Sequence, residues 1–105
     1  RAQDADPLLF MGENPDENFH AWAKMRIRYD GRFTEKGVEG VVHVRFYIEP
    51  DGRIAIGEVV KSPDERLTKE VLRVIRSSKG KWTPRKVRDV PQRTAYEYRV
   101  NYHNN

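Results

Sequence analysis

A chain of 105 residues with 34% charged and 37% apolar side chains forms one domain with a modest core under a heavily charged surface. The net charge of +4 comes from twenty basic residues interleaved with sixteen acidic ones, which argues against the segregated basic stripe of a nucleic-acid binder. Cysteine is absent, which excludes disulfides, thiol catalysis and thiolate metal sites, and no apolar run approaches the ~20 residues of a membrane span.

The chain begins at Arg1 with no visible signal peptide, as a cut or processed product would. Residues 1–13 are polar around Leu8-Leu9-Phe10-Met11 and read either as an extended lead-in that lays apolar side chains on the domain or as a disordered end. Residues 14–105 are expected to form the domain itself. Two helix starts share one design, Asn14-Pro15-Asp16-Glu17 and Ser62-Pro63-Asp64-Glu65. Each offers a capping side chain, a proline whose missing N–H costs nothing in the first turn, and acids at the positive end of the helix dipole. Glu17 and Glu65 stand where a capping box would return the bond. The second start reads equally as a separate turn before a helix beginning near Leu67.

The first helix is predicted over about Pro15 to Arg28, with Phe19, Trp22, Ala23 and Ile27 as its buried stripe. A short helical turn through Phe33 ends at Gly37. Next, Val42, Val44, Phe46 and Ile48 alternate with His43, Arg45, Tyr47 and Glu49, the period-two pattern of a strand with one buried face. Pro50 and Gly52 close a hairpin onto a second strand of about Arg53 to Lys61. In that strand Glu58 shares the parity of Ile54, Ile56 and Val60, so it lies at the rim or Gly57 marks a bulge. A helix to about Ser78 buries Leu67, Val71, Val74 and Ile75, and Arg66, Lys69, Arg73 and Arg76 cover its outer face. Trp82 plugs the gap between helix and sheet, residues 85–91 form a charged loop, and the last strand runs from about Gln92 to Tyr102. Thr94, Tyr96, Tyr98, Val100 and Tyr102 share its inner face.

The order helix, strand, strand, helix, strand predicts an α+β sandwich: three strands in the order 2-1-3, two helices on one face, and the last strand at an edge, parallel to the second and antiparallel to the first. Convergent catalytic groups are not evident. His20, His43 and His103 lack ligand partners at metal-site spacing, Gly37 and Gly40 look structural, and the acids Asp16, Glu17, Asp64 and Glu65 read as caps. Neither enzymatic activity nor a cofactor is expected. What remains is the edge strand, whose unpaired N–H and C=O groups either accept an extended guest chain or stay solvated under guarding charges. Arg93, Glu97 and Arg99 would add charge selectivity. Stacking of RNA bases on Tyr47 and Tyr98 is a weaker reading, because Tyr98 falls on the inner face.

The ordered set Phe19, Trp22, Ile27-Arg28-Tyr29, Gly37-Val38-Glu39-Gly40-Val41-Val42, Val44, Phe46, Ile48, Asp51-Gly52, Val60-Lys61-Ser62, Leu67, Glu70-Val71, Trp82-Thr83-Pro84, Pro91 and the aromatic strand to Tyr102 resembles the C-terminal domain of TonB, the periplasmic energy transducer of Gram-negative bacteria. The resemblance covers roughly residues 17–102. It implies a domain without cofactor or catalysis that adds the TonB box of an outer-membrane transporter as a strand. Through an upstream membrane helix and spacer it would join an inner-membrane proton-channel complex, and so couple the proton gradient to uptake of iron complexes, vitamin B12 or glycans. Carried over by position, the pairing strand is Arg93, Thr94, Ala95, Tyr96, Glu97, Tyr98, Arg99, Val100 and Asn101, and the segment near the transporter is Arg26, Ile27, Arg28 and Tyr29. Asp30 departs from the family's usual proline, and Arg99 stands where many relatives have proline. The same edge could receive a sister chain, giving a domain-swapped homodimer. The resemblance also admits an interaction or sensing module fused to a membrane sensor or metallopeptidase.

Overall fold

A computed structural model describes residues 5–103; the first four residues of the lead-in and the last two of the chain lie outside the described residues. In chain order the elements are β1 (Ala5–Asp6), β2 (Leu9–Phe10), α1 (Pro15–Arg26), α2 (Gly31–Thr34), β3 (Gly40–Ile48), β4 (Ile54–Lys61), α3 (Glu65–Ser77), β5 (Trp82–Thr83), β6 (Lys86–Val87), β7 (Val90–Pro91) and β8 (Thr94–Tyr102). The main sheet has the order β4-β3-β8, with both outer strands antiparallel to β3. This is the α+β architecture and the 2-1-3 order expected from the alternation and the crossover helix.

Strand β3 is central because its even positions are the most apolar of the chain. Val42, Val44, Phe46 and Ile48 are fully buried, and they meet Phe19 and Ala23 of α1, Leu67, Val71, Val74 and Ile75 of α3, and Tyr96 and Tyr98 of β8 in one core. Phe19 lies at the centre, with ring centroids 4.9–5.9 Å from those of Phe10, Trp22, Phe46, Trp82, Tyr96 and Tyr98. Trp82 fills the gap between helix and sheet and donates from Nε1 to the buried Ser78 Oγ at 2.9 Å, which satisfies its one polar group.

The structure departs from the sequence reading in three places. Helix α1 ends at Arg26 rather than Arg28, because Ile27 turns extended (ψ 122°) to carry its side chain into the core. Asn14 does cap α1, accepting from Asp16 N at 2.9 Å, but α3 is capped by Asp64 and not Ser62. Asp64 Oδ1 accepts from Arg66 N at 2.8 Å, while Ser62 Oγ accepts from the Thr68 hydroxyl at 2.5 Å and braces the approach. The helix thus starts between the two readings, and Glu65 occupies its first position instead of closing a box. Residues 85–91 are not a loop: β6 and β7 form a tight hairpin through Arg88 (φ 50°) and Asp89 (φ 67°), and β6 pairs with β1. Positive φ at both central residues is the primed-turn geometry that fits strand twist, but an Arg-Asp pair does not announce it. In the lead-in, Phe10 is completely buried and β2 pairs with β5, opposite Trp82.

Strand β4 is irregular. Arg45 faces Glu58 and Phe46 faces Ile56, so Gly57 is the extra residue, and a second shift leaves Val60 extra. Gly57 is required there: a Cβ would stand 2.6 Å from Tyr47 Cε2 and 3.0 Å from Arg45 O. The bulge turns Glu58 to the outer face, which resolves the parity question in favour of a phase shift.

Candidate peptide-binding edge

Strand β8 has β3 on one side and no strand on the other among the described residues. The β3–β4 hairpin determines which of its backbone groups face that open side. At the hairpin tip Glu49 N donates to Arg53 O and Gly52 N to Glu49 O, both at 2.8 Å, so the backbone groups of Glu49 point toward β4. Backbone direction alternates along an antiparallel strand. Tyr47, Arg45 and His43 therefore also face β4, and Ile48, Phe46, Val44 and Val42 face β8. The β3–β8 register is unbroken and pairs those four with Thr94, Tyr96, Tyr98 and Val100, whose N–H and C=O point inward. Ala95, Glu97, Arg99 and Asn101 point theirs out of the sheet.

The strand is held in place from both faces. Inside, Tyr98 is 1% exposed and Tyr96 is 7% exposed, with the Tyr96 hydroxyl donating to Asp16 Oδ1 at 3.0 Å. Burial, with the carboxylate alongside, pushes the Tyr96 phenol well above its ordinary pKa. On the outer face an ionic ladder crosses all three strands. Arg45 donates to Glu97 at 2.6 Å and to Glu58 at 3.1 Å, and His43 Nε2 lies 2.5 Å from the other Glu97 oxygen. The Arg45 hydrogen bond, followed by that of His43, lowers the Glu97 pKa. At the strand's start Arg93 donates to Glu49 at 2.9 Å and lies 3.9 Å over the Tyr47 ring. The charges expected to select a guest are thus mostly committed within the sheet. Glu97 and Arg93 have partners, and Arg99 is absent from the described ion pairs. Arg93 also precedes the strand proper, which starts at Thr94.

Beside the open margin runs a groove of about 650 Å³ between α1 and the end of β8, lined by His20, Lys24, Ile27, Tyr29 and residues 98–103. Three tyrosines, Tyr29, Tyr98 and Tyr102, stand in its walls. His20 sits 4.9 Å from the Tyr98 ring, and burial lowers its pKa against the opposing pull of Asp16. Tyr29 contacts Tyr102 at 5.0 Å and donates its hydroxyl to Val38 O. Burial raises the pKa of both Tyr98 and Tyr102.

The segment from Arg26 to Tyr29 divides by parity. Ile27 and Tyr29 line the groove, whereas Arg26 and Arg28 face away. The Arg26 guanidinium lies 4.3 Å over Trp22, and Arg28 N donates to Glu70 Oε2 at 2.8 Å. Asp30, in place of proline, caps α2 by accepting from Arg32 N at 3.0 Å, so the turn after Tyr29 is held by a hydrogen bond. Sequence reading missed the Glu58–Arg45–Glu97–His43 ladder. Its one visible signal was opposite charges on the polar parity of three strands, which a bulge in β4 obscured.

The family model for the C-terminal domain of the Gram-negative bacterial TonB protein matches residues 25–103. The chain belongs to the TonB C-terminal domain family. Its fold is similar to that of the C-terminal domain of Helicobacter pylori TonB, solved in solution, with a TM-score of 0.61 at 23% identity over 90% of this chain and 86% of that one. No curated protein matches the chain. The TonB-type domain thus presents, beside its groove, a last strand with four alternate backbone positions facing outward.

Proposed function

We propose that this domain captures an extended segment of an outer-membrane transporter, the TonB box, as a fourth strand on β8, in the periplasm, and passes on force derived from the inner-membrane proton gradient. The observation that carries this reading is the open margin of β8, with the N–H and C=O groups of Ala95, Glu97, Arg99 and Asn101 aimed outward. Main-chain bonds at these positions hold a guest with little regard to its sequence. Alternate side chains of the guest then fall into the groove between α1 and β8, where Ile27, Tyr29, Tyr98 and Tyr102 meet them. Arg99 adds a cation beside the guest. The domain works by binding and positioning, without chemistry of its own, and the inner-membrane complex engages through the part of the protein upstream of this domain.

The test is a titration of the isotopically labelled chain with a TonB-box peptide, followed by amide chemical shifts. Saturable shifts centred on Ala95, Glu97, Arg99 and Asn101 are expected, with smaller ones at Ile27 and Tyr29. Shifts confined to the basic outer face of α3 would overturn the proposal. Light scattering across concentrations separates guest capture from strand exchange between two copies, which would compete for the same margin.

A further inference from the structure

A second concavity, sharing no lining residue with the groove beside β8, lies between α2 and α3, and strand capture does not use it. It has a volume of about 550 Å³ and is lined by Arg32 and Lys36 on one wall, Arg66, Lys69 and Arg73 on the other, together with the buried Phe33 and the half-buried Glu70. Arg66, Lys69 and Arg73 recur at helical spacing, so α3 presents them on one face.

The charges are unevenly committed. Arg66 grips its own cap, Asp64, through two nitrogens at 3.1 and 2.8 Å. Arg73 grips Glu70 through two nitrogens, both at 2.9 Å, and Glu70 also accepts from Arg28 N. Arg32 spends only Nε, on Asp30 at 3.1 Å, which leaves its terminal nitrogens available. Neither Lys36 nor Lys69 takes part in the described ion pairs. Five cations against Asp30, Asp64 and Glu70 leave an excess of two positive charges, half of the chain's +4. The uncommitted donors belong to residues that line both walls of the pocket.

We propose that this pocket binds a phosphomonoester carried on a sugar-sized organic body. A phosphomonoester brings about −1.5 to −2 charge and three strong acceptor oxygens, enough to meet the excess and to engage Arg32, Lys36 and Lys69 together. A single carboxylate brings one charge and a planar fork, the geometry that Arg66 and Arg73 already satisfy within the chain. Phe33 and the alkyl stems of the basic residues give the organic body an apolar floor.

Chemical-shift titration of the folded chain with glucose 6-phosphate, and with glucose as control, tests this. Saturable shifts at residues 32–36 and 66–73 are expected with the phosphate ester and not with glucose. The exposed pair Lys36→Ala and Lys69→Ala should weaken binding about a hundredfold, the loss of two charge-assisted hydrogen bonds at about tenfold each. Lys36→Arg with Lys69→Arg should retain it. A second arm compares phosphatidylcholine vesicles with and without phosphatidic acid: binding there as well places the ester on a lipid headgroup, and binding to the soluble ester alone places it on a free sugar. Both results uphold the site. No saturable shift in either arm, or shifts spread equally over Lys79 to Arg88 and unchanged in the alanine pair, would overturn it.

Discussion

The phase of β8 can be tested with two neighbouring prolines. Arg99→Pro removes an N–H that points out of the sheet, and Val100→Pro removes one that points at Val42 on β3. Proline is tolerated on a strand edge when its missing donor faces away from the ladder. Arg99→Pro should therefore unfold within a few degrees of Arg99→Ala. It should bind a TonB-box peptide about fivefold more weakly than Arg99→Ala, because one hydrogen bond worth about 1 kcal/mol is gone. The alanine reference removes the effect of the lost cation. Val100→Pro should behave in the opposite sense. It leaves a carbonyl of Val42 without its donor inside the sheet, a penalty of about 1–3 kcal/mol. In a domain of this size each kcal/mol lowers the midpoint by about 4–8 °C. Calorimetric titration with the peptide and thermal unfolding by circular dichroism read the two effects separately. If Arg99→Pro destabilised the fold as Val100→Pro is expected to, while Val100→Pro left stability intact and weakened binding, the strand would face the other way. The assignment of Ala95, Glu97, Arg99 and Asn101 to the open margin would then fall.

Three further outcomes follow from the packing and the charges. Phe19→Ala empties the site where six aromatic rings meet and should lower unfolding free energy by about 3–5 kcal/mol, read by urea denaturation; a loss below about 1 kcal/mol would mean that the rings close over the gap. Gly57→Ala forces a methyl against Tyr47 and Arg45 O and should cost about 1–3 kcal/mol. Adding Tyr47→Ala should recover only the side-chain part, since the backbone oxygen remains 3.0 Å away. The Arg66 side-chain hydrogen bond, supported by the Arg66 backbone N–H, holds the Asp64 carboxyl at about 2, below its ordinary 3.8. A depressed folded pKa stabilises the fold above the unfolded value, and that stability is lost as pH falls from about 3.8 through about 2. Asp64→Ala should be less stable than the parent at neutral pH, and the gap should close across that window; a gap constant with pH would show that the carboxylate's charge contributes nothing.

Local pattern and tertiary packing divide this protein at identifiable residues. The alternation from Val42 to Ile48, the helical stripe from Leu67 to Ile75 and the aromatic parity from Tyr96 to Tyr102 each encode one buried face, and burial of apolar surface is strong enough that the pattern alone states the fold. Asn14-Pro15 likewise announced a helix start. Two features depended on distant partners. Phe10 entered the core because Trp82 and Phe19 offered it rings, whereas the apolar stretch Leu8 to Met11 by itself left a packed lead-in and a disordered end equally open. Ser62 lost the cap to Asp64, although both are good capping residues, because Thr68 and Arg66 divided them.

The sequence by itself determined which residues go inside, because side-chain hydrophobicity and its period are local quantities. Tertiary structure alone decided which backbone groups of β8 look outward, because that depends on the hairpin tip at Glu49 and Arg53 and on an unbroken register across β3. It also decided which charges remain available, because Glu97 is hydrogen-bonded to two residues more than fifty positions away, and the pocket between α2 and α3 gathers its cations from segments that only folding brings face to face.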